Sequence, residues 1–178
     1  MARRKTKERN KDEMMAIKKY AIEYSKRALE IENDKERMLA KNFNNMIIFN
    51  SILLIPLISV IIELCVRLED VRTIVLIFGP ILVGVVFVSL LLSMFGQNLD
   101  RHNYFKSISY LLDDFDSDNK AIDENSLIDK TIEDLDYIYK SKKYYNNKRS
   151  NILTASHIVI YSFYVLLFVF GLVIMIVM

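Results

Sequence analysis

The stretch MIIFNSILLIPLISVIIELCV, residues 46–66, holds a single charge, Glu63, close to its end. Two further stretches share its character: IVLIFGPILVGVVFVSLLLSMF, residues 74–95, and ILTASHIVIYSFYVLLFVFGLVIMIVM, residues 152–178, hold no Asp, Glu, Lys or Arg at all. About 20 consecutive apolar residues, rising roughly 1.5 Å each, cross the hydrocarbon core of a bilayer. With no water there to satisfy peptide groups, each such stretch must be a helix. The expected fold is therefore an all-α integral membrane protein. It has three transmembrane helices, and its cytoplasmic helical extensions form a bundle.

The charges outside these stretches orient the chain. Residues 1–45 are a basic tail and helical arm in which Lys and Arg outnumber the acids. The outer loop, residues 67–73, is short and balanced, with Arg67 and Arg72 against Glu69 and Asp70. Residues 96–151 crowd Lys140, Lys142, Lys143, Lys148 and Arg149 just before the third apolar stretch. The positive-inside rule puts the N-terminus and residues 96–151 in the cytoplasm and the C-terminus outside. No secretory signal is expected, because the leading charged stretch is long and no short apolar segment with a cleavage site follows it. The single cysteine, Cys65, has no partner for an internal disulfide.

The tail, residues 1–11, reads as disordered or as lying on anionic head groups. After it, Met14, Ile17, Ala21, Tyr24, Ala28, Ile31, Lys35, Met38 and Asn42 alternate at steps of three and four, a heptad seam. The seam suits packing inside one subunit or a coiled coil between subunits, and both stay open. No Gly or Pro interrupts residues 12–55, so the arm is expected to run into the first apolar stretch as one helix. Residues 96–151 read as a helical hairpin. Phe105, Ile108, Leu112 and Phe115 lie at helical spacing before a polar turn, residues 113–120. Ser126 with Asp129 resembles a capping box. Ile128, Ile132, Leu135 and Tyr139 then form a stripe that leads into the third stretch, with Leu127, Thr131, Ile138 and Tyr145 beside it.

Little here points to catalysis. Asp114, Asp116 and Asp118 have the spacing that opens an EF-hand, but the turn glycine is Asn119 and the closing Glu is Asn125. A solvated acidic turn is the better reading. There is no glycine-rich phosphate loop, His/Cys zinc spacing or nucleophile elbow. No enzyme activity, cofactor or metal is expected, and no nucleic acid.

The apolar stretches carry the candidate sites. Ile52, Pro56, Ser59 and Glu63 share one face of the first, with Asn45 on the same line. An intramembrane carboxylate seeks protein or a water-filled cavity, so Asn45, Ile52, Ser59 and Glu63 are pore-lining candidates. The simpler alternative is a Glu63 that reaches the outer head groups. Ser89, Ser93 and Gly96 form a small-residue pattern that allows close helix contact. Gly79 and Pro80 mark a hinge or a tolerated kink. His157, Tyr161, Tyr164 and Gly171 make a stripe on the third stretch, read either as a sensitive polar seam or as aromatic anchoring and packing. Lys140, Lys142, Lys143, Lys148 and Arg149 suit anionic lipid or a nucleotide phosphate, with lipid the better reading.

Three local features resemble the SLATT family of bacterial membrane proteins. Lys26-Arg27-Ala28-Leu29 leads to Arg37-Met38-Leu39-Ala40-Lys41-Asn42 just before the first stretch. Two apolar stretches follow with a short loop between them. Val88-Ser89-Leu90-Leu91-Leu92-Ser93 is then followed by Asn98-Leu99-Asp100-Arg101-His102-Asn103-Tyr104-Phe105. The likeness covers roughly residues 20–145, and the third apolar stretch departs from the family's two-span core. The resemblance implies an oligomeric effector in the bacterial inner membrane. It would form a pore that depolarises or permeabilises the membrane in antiphage defence, on a nucleotide signal or through a nucleotidyltransferase partner. It brings no catalytic residues. The competing classes are a non-conducting helical scaffold and a holin-like lysis protein.

Overall fold

The computed structural model describes the backbone of residues 2–67, 69, 71–99 and 124–177, and side chains from residue 13 in the first segment and 128 in the last. Three helices account for it: α1, Ala2–Arg67; α2, Arg72–Asn98; and α3, Glu124–Val177. Among the described residues there is no strand. α1 is unbroken from the arm through the first apolar stretch, with Pro56 inside it. The basic tail, expected as disordered or lying on head groups, is helical in backbone from Ala2. Its Lys, Arg and Glu are good helix formers, and no Gly or Pro opposes them. α3 begins two residues before Ser126 and is likewise continuous into the third apolar stretch. The acidic turn and the Phe105–Phe115 stripe lie outside the described residues.

α1, α2 and α3 each contain a window long and apolar enough to cross a membrane. Most of the large apolar side chains in these windows face outward, with Ile55 73% and Ile176 80% exposed. Only part of each window is used for internal packing.

The chain divides into two units, Met1–Arg37 with Asp100–Asn147, and Met38–Leu99 with Lys148–Met178. In the first unit, polar pairs join α1 to α3. Lys18 meets Asp129 at 2.6 Å. Lys142 meets Glu36 at 2.9 Å and also Asn33. Asn146 donates to the Glu32 carboxylate at 2.9 Å and to its backbone carbonyl at 2.8 Å. Lys35 donates to Asn147 Oδ1 at 2.8 Å. Partner numbers rise together, 106 to 114 residues apart throughout, so the two helices run parallel.

The second unit packs α2 against both other helices. Contacts between α1 and α2 run in opposite directions: a Cβ on Gly96 would meet Phe43, Asn50 bonds Ser89, and a Cβ on Gly79 would lie 2.8 Å from Ile61. α2 and α3 do the same, from Arg149 on the Gly96 carbonyl to the stacked rings of Phe78 and Phe170. α2 is therefore antiparallel to its neighbours. Its buried residues Val75, Gly79, Leu82, Val86, Ser89, Ser93 and Gly96 alternate at four and three. That is a 3.5-residue repeat, matching left-handed supercoiled packing. A turn at Glu69 and Val71 joins α1 to α2, with Arg72 N–H donating to the Glu69 carbonyl at 3.2 Å.

Candidate functional site

The heptad repeats of the second unit bring four polar side chains to one level of its core. Asn50, Ser89, Ser93 and Ser156 are all 0% exposed. Asn50 Nδ2 donates to Ser89 Oγ at 3.0 Å. Ser89 Oγ lies 2.9 Å from Ser156 Oγ, which lies 2.9 Å from Ser93 Oγ. Backbone acceptors close the set: Ser93 Oγ reaches the Ser89 carbonyl at 2.9 Å, Ser156 Oγ the same carbonyl at 3.1 Å, and Ser89 Oγ the Ser156 carbonyl at 3.2 Å.

Each hydroxyl has one hydrogen to donate. One consistent assignment has Ser89 donating to the Ser156 carbonyl, Ser156 to the Ser89 carbonyl, and Ser93 to Ser156 Oγ. Every hydroxyl donor is then satisfied. One acceptor is not: Asn50 Oδ1 is buried without a partner. An orphaned group of this kind costs about 1–3 kcal/mol, so the layer is held in place by its surroundings. Those surroundings are tight, because Phe43 fills the space over Gly96 and Ile152 would come within 3.1 Å of a Cβ there.

Arg149 sits beside this layer at 2% exposure. Its Nε donates to the Gly96 carbonyl at 3.1 Å, and its guanidinium lies 5.7 Å from the Phe43 ring centre. The carbonyl of Gly96 is one of the last four of α2 and has no acceptor role within the helix, so a cation there is favourable. Arg149, one of the lipid or phosphate candidates, is thus turned into the helix packing. Lys142, in the first unit, is likewise turned to Glu36 and Asn33. Lys140, Lys143 and Lys148 are exposed. Lys140 pairs with Asp136 on its own helix, and Lys143 lies over Tyr139.

The remaining expected residues are placed as follows. Ser89, Ser93 and Gly96 are all buried between helices. Asn45, Ile52, Ser59 and Glu63 are exposed. Ser59 bonds the Ile55 carbonyl and Glu63 pairs with Arg67 at 2.9 Å, both within α1. Tyr161 and Tyr164 are exposed, while His157 is half-buried with Nδ1 2.9 Å from the Leu153 carbonyl. The sequence stripe on α3 is thus split between surface and packing.

No family model, curated protein or solved structure matches the chain. The site must be read from its own residues.

Sequence reasoning passed over Asn50 and Ser156. The signal was present: Asn50 is flanked by Met46 and Leu53, and Ser156 by Leu153 and Ile160, at the three and four steps of a packed face. A polar residue in such a position is buried, not lipid-facing. Among the described residues, no group of three or more His, Cys, Asp or Glu is placed to hold a metal. The layer can lock three helices together.

Proposed function

We propose that the protein is a membrane effector of bacterial antiphage defence. It assembles as a homo-oligomer in the inner membrane, N-terminus in the cytoplasm and C-terminus outside. It opens a pore or ion channel that depolarises or permeabilises the membrane when a cytoplasmic nucleotide signal or a partner triggers it. The defence role and the trigger follow from the SLATT resemblance. The membrane location is supported by three windows long and apolar enough to cross it.

The observation that carries the pore reading is the outward line on α1. Asn45, Ile52, Ser59 and Glu63 are exposed on the subunit, and the bonds of Ser59 and Glu63 stay on their own helix. Polar groups on a lipid-facing surface are costly and seek a partner subunit or water. Turning this line onto its copies about an axis satisfies it and lines a conduit. The polar layer of the second unit supports the same reading, because it keeps each subunit's three helices together while subunits shift between closed and open packings.

The test is ion current through the purified protein in a planar bilayer, after sizing in detergent. Discrete currents from an oligomer, altered by Glu63→Ala with assembly intact, support the pore. A silent monomer refutes it. A second reading, a non-conducting scaffold, is favoured by the Glu63–Arg67 pair, which neutralises the carboxylate at the end of the apolar stretch. On that reading Glu63→Ala changes no phenotype.

A further inference from the structure

α1 carries two heptad stripes, and the fold of the first unit uses only one. The inward stripe is Lys18, Ile22, Ser25, Leu29, Glu32 and Glu36, all half-buried or buried. The other is Met14, Ile17, Ala21, Tyr24, Ala28, Ile31 and Lys35. Its large apolar members are left outside, with Met14 61%, Ile17 68%, Tyr24 67% and Ile31 68% exposed. Among the described residues, nothing in the same subunit covers these four side chains.

We infer that residues 14–35 of α1 zip, parallel and in register, onto the same residues of a second copy of this chain. This rests on the membrane reading above, which gives every copy the same direction and so excludes an antiparallel pair. Three observations select a second copy as the occupant. First, a stripe at unbroken steps of three and four is complementary to itself, since knobs at these positions fit holes made by the same positions. Second, the flanks are complementary in the parallel register, where a residue faces the one five further on in its partner. Arg27 then faces Glu32, and Glu13 faces a Lys18 that is already held by Asp129 of its own chain, with no like-charged pair between residues 13 and 39. Glu32 is bonded to Asn146 in its own chain, so its charge acts across the interface as a field, within the ~8 Å over which salt leaves charges unscreened. Third, the one charge on the stripe is drawn aside: Lys35 donates to Asn147 at 2.8 Å.

Cysteine cross-linking of the full chain in native membranes tests this. In a Cys65→Ser background, Ile31→Cys and Tyr24→Cys place thiols on the seam, and Lys26→Cys places one on the exposed far side. All three positions are exposed, so none disturbs the packed interior. On mild oxidation the two seam variants are expected to form covalent dimer several-fold faster than Lys26→Cys. Equal rates at all three positions would overturn the seam, as random collision or another occupant. No cross-link at either seam position, with the protein sizing as an oligomer in detergent, overturns the seam and leaves the oligomeric reading standing. No cross-link and a monomeric size overturns both.

Discussion

Ser89→Ala separates the buried polar layer from ordinary helix packing. Among the described residues, Ser89 Oγ is the one hydrogen-bond partner of the Asn50 amide, whose oxygen is already unpartnered. Removing the hydroxyl leaves both ends of that amide without a bond at a position with no exposed surface. An unmet buried group costs about 1–3 kcal/mol, and interhelical bonds in apolar media average nearer about 0.6 kcal/mol. Ser89→Ala should therefore cost about 1–3 kcal/mol. Ser93→Ala and Ser156→Ala should cost under about 1 kcal/mol each, because neither leaves a donor stranded. Without Ser156 Oγ, Ser93 still reaches the Ser89 carbonyl at 2.9 Å and Ser89 the Ser156 carbonyl at 3.2 Å. The assay is reversible unfolding in mixed micelles with increasing SDS. Asn50→Ala combined with Ser89→Ala should cost less than the two single changes added, by at least about 0.5 kcal/mol, since the amide that Ser89 strands is gone. Equal losses for the three serines, or strict additivity in the double variant, would refute the hydrogen-bond account of the layer.

Other expectations follow from the same geometry. Gly96→Ala forces a Cβ into the Phe43 ring and should destabilise by about 1–3 kcal/mol, whereas Gly84→Ala and Gly171→Ala meet nothing within 4 Å and should stabilise by up to about 1 kcal/mol through helix propensity; the same micelle titration shows the sign. In the first unit, Asp129→Asn should cost under about 1 kcal/mol, its carboxylate being well exposed. Lys142→Ala should cost more, since that ammonium is shared by Glu36 and Asn33 in a less exposed place; protease susceptibility of the α1 arm reports both. Replacing Lys140, Lys143 and Lys148 together by Ala should weaken attachment of the juxtamembrane segment to anionic vesicles by about 1 kcal/mol per charge, while Arg149→Gln should leave attachment unchanged and lower stability.

The three long helices were legible because length and apolarity are local properties, and no Gly or Pro broke the arm. The small-residue face of α2 was legible too, since Ser89, Ser93 and Gly96 lie one turn apart in an otherwise bulky helix. What could not be read was which stripe of α1 turns inward. Met14, Ile17, Tyr24 and Ile31 make the more apolar stripe, and a pattern argument selects it. The structure buries its neighbour, with Glu32 and Lys18, because α3 supplies Asn146 and Asp129 at matching levels. That match spans more than a hundred residues of sequence and has no local signature. The burial of Arg149 was hidden for a related reason: a basic cluster beside an apolar stretch looks uniform, yet members three or four apart on a packed helix share its inner face.

Within the second unit, the outward line and the packed face of α1 can be followed position by position. A straight α-helix lets a seven-residue pattern drift by about 20° per heptad, or about 60° over the three heptads from Asn42 to Glu63. Drift of that size would begin to carry the line off its face. Asn45, Phe49, Ile52, Pro56, Ser59 and Glu63 are all exposed, and Leu39, Phe43, Met46 and Asn50, one position further round, are buried; past Asn50 the packing loosens, with Val60 51% exposed and Ile61 half-buried against Gly79. The inner residues of α2 and α3 keep the same four-and-three alternation, from Val75 to Gly96 and from Arg149 to Phe163. On α1 the drift is visible in the packed face, which has moved by one position where Ile61 rather than Val60 meets α2. The outward line and the packed face are coupled through the one helix that carries both. An alanine inserted between Ile47 and Ile48 would break this coupling. It turns everything after it by 100°, so the line and the buried face cannot both be kept, and conductance should be lost even where the oligomer survives.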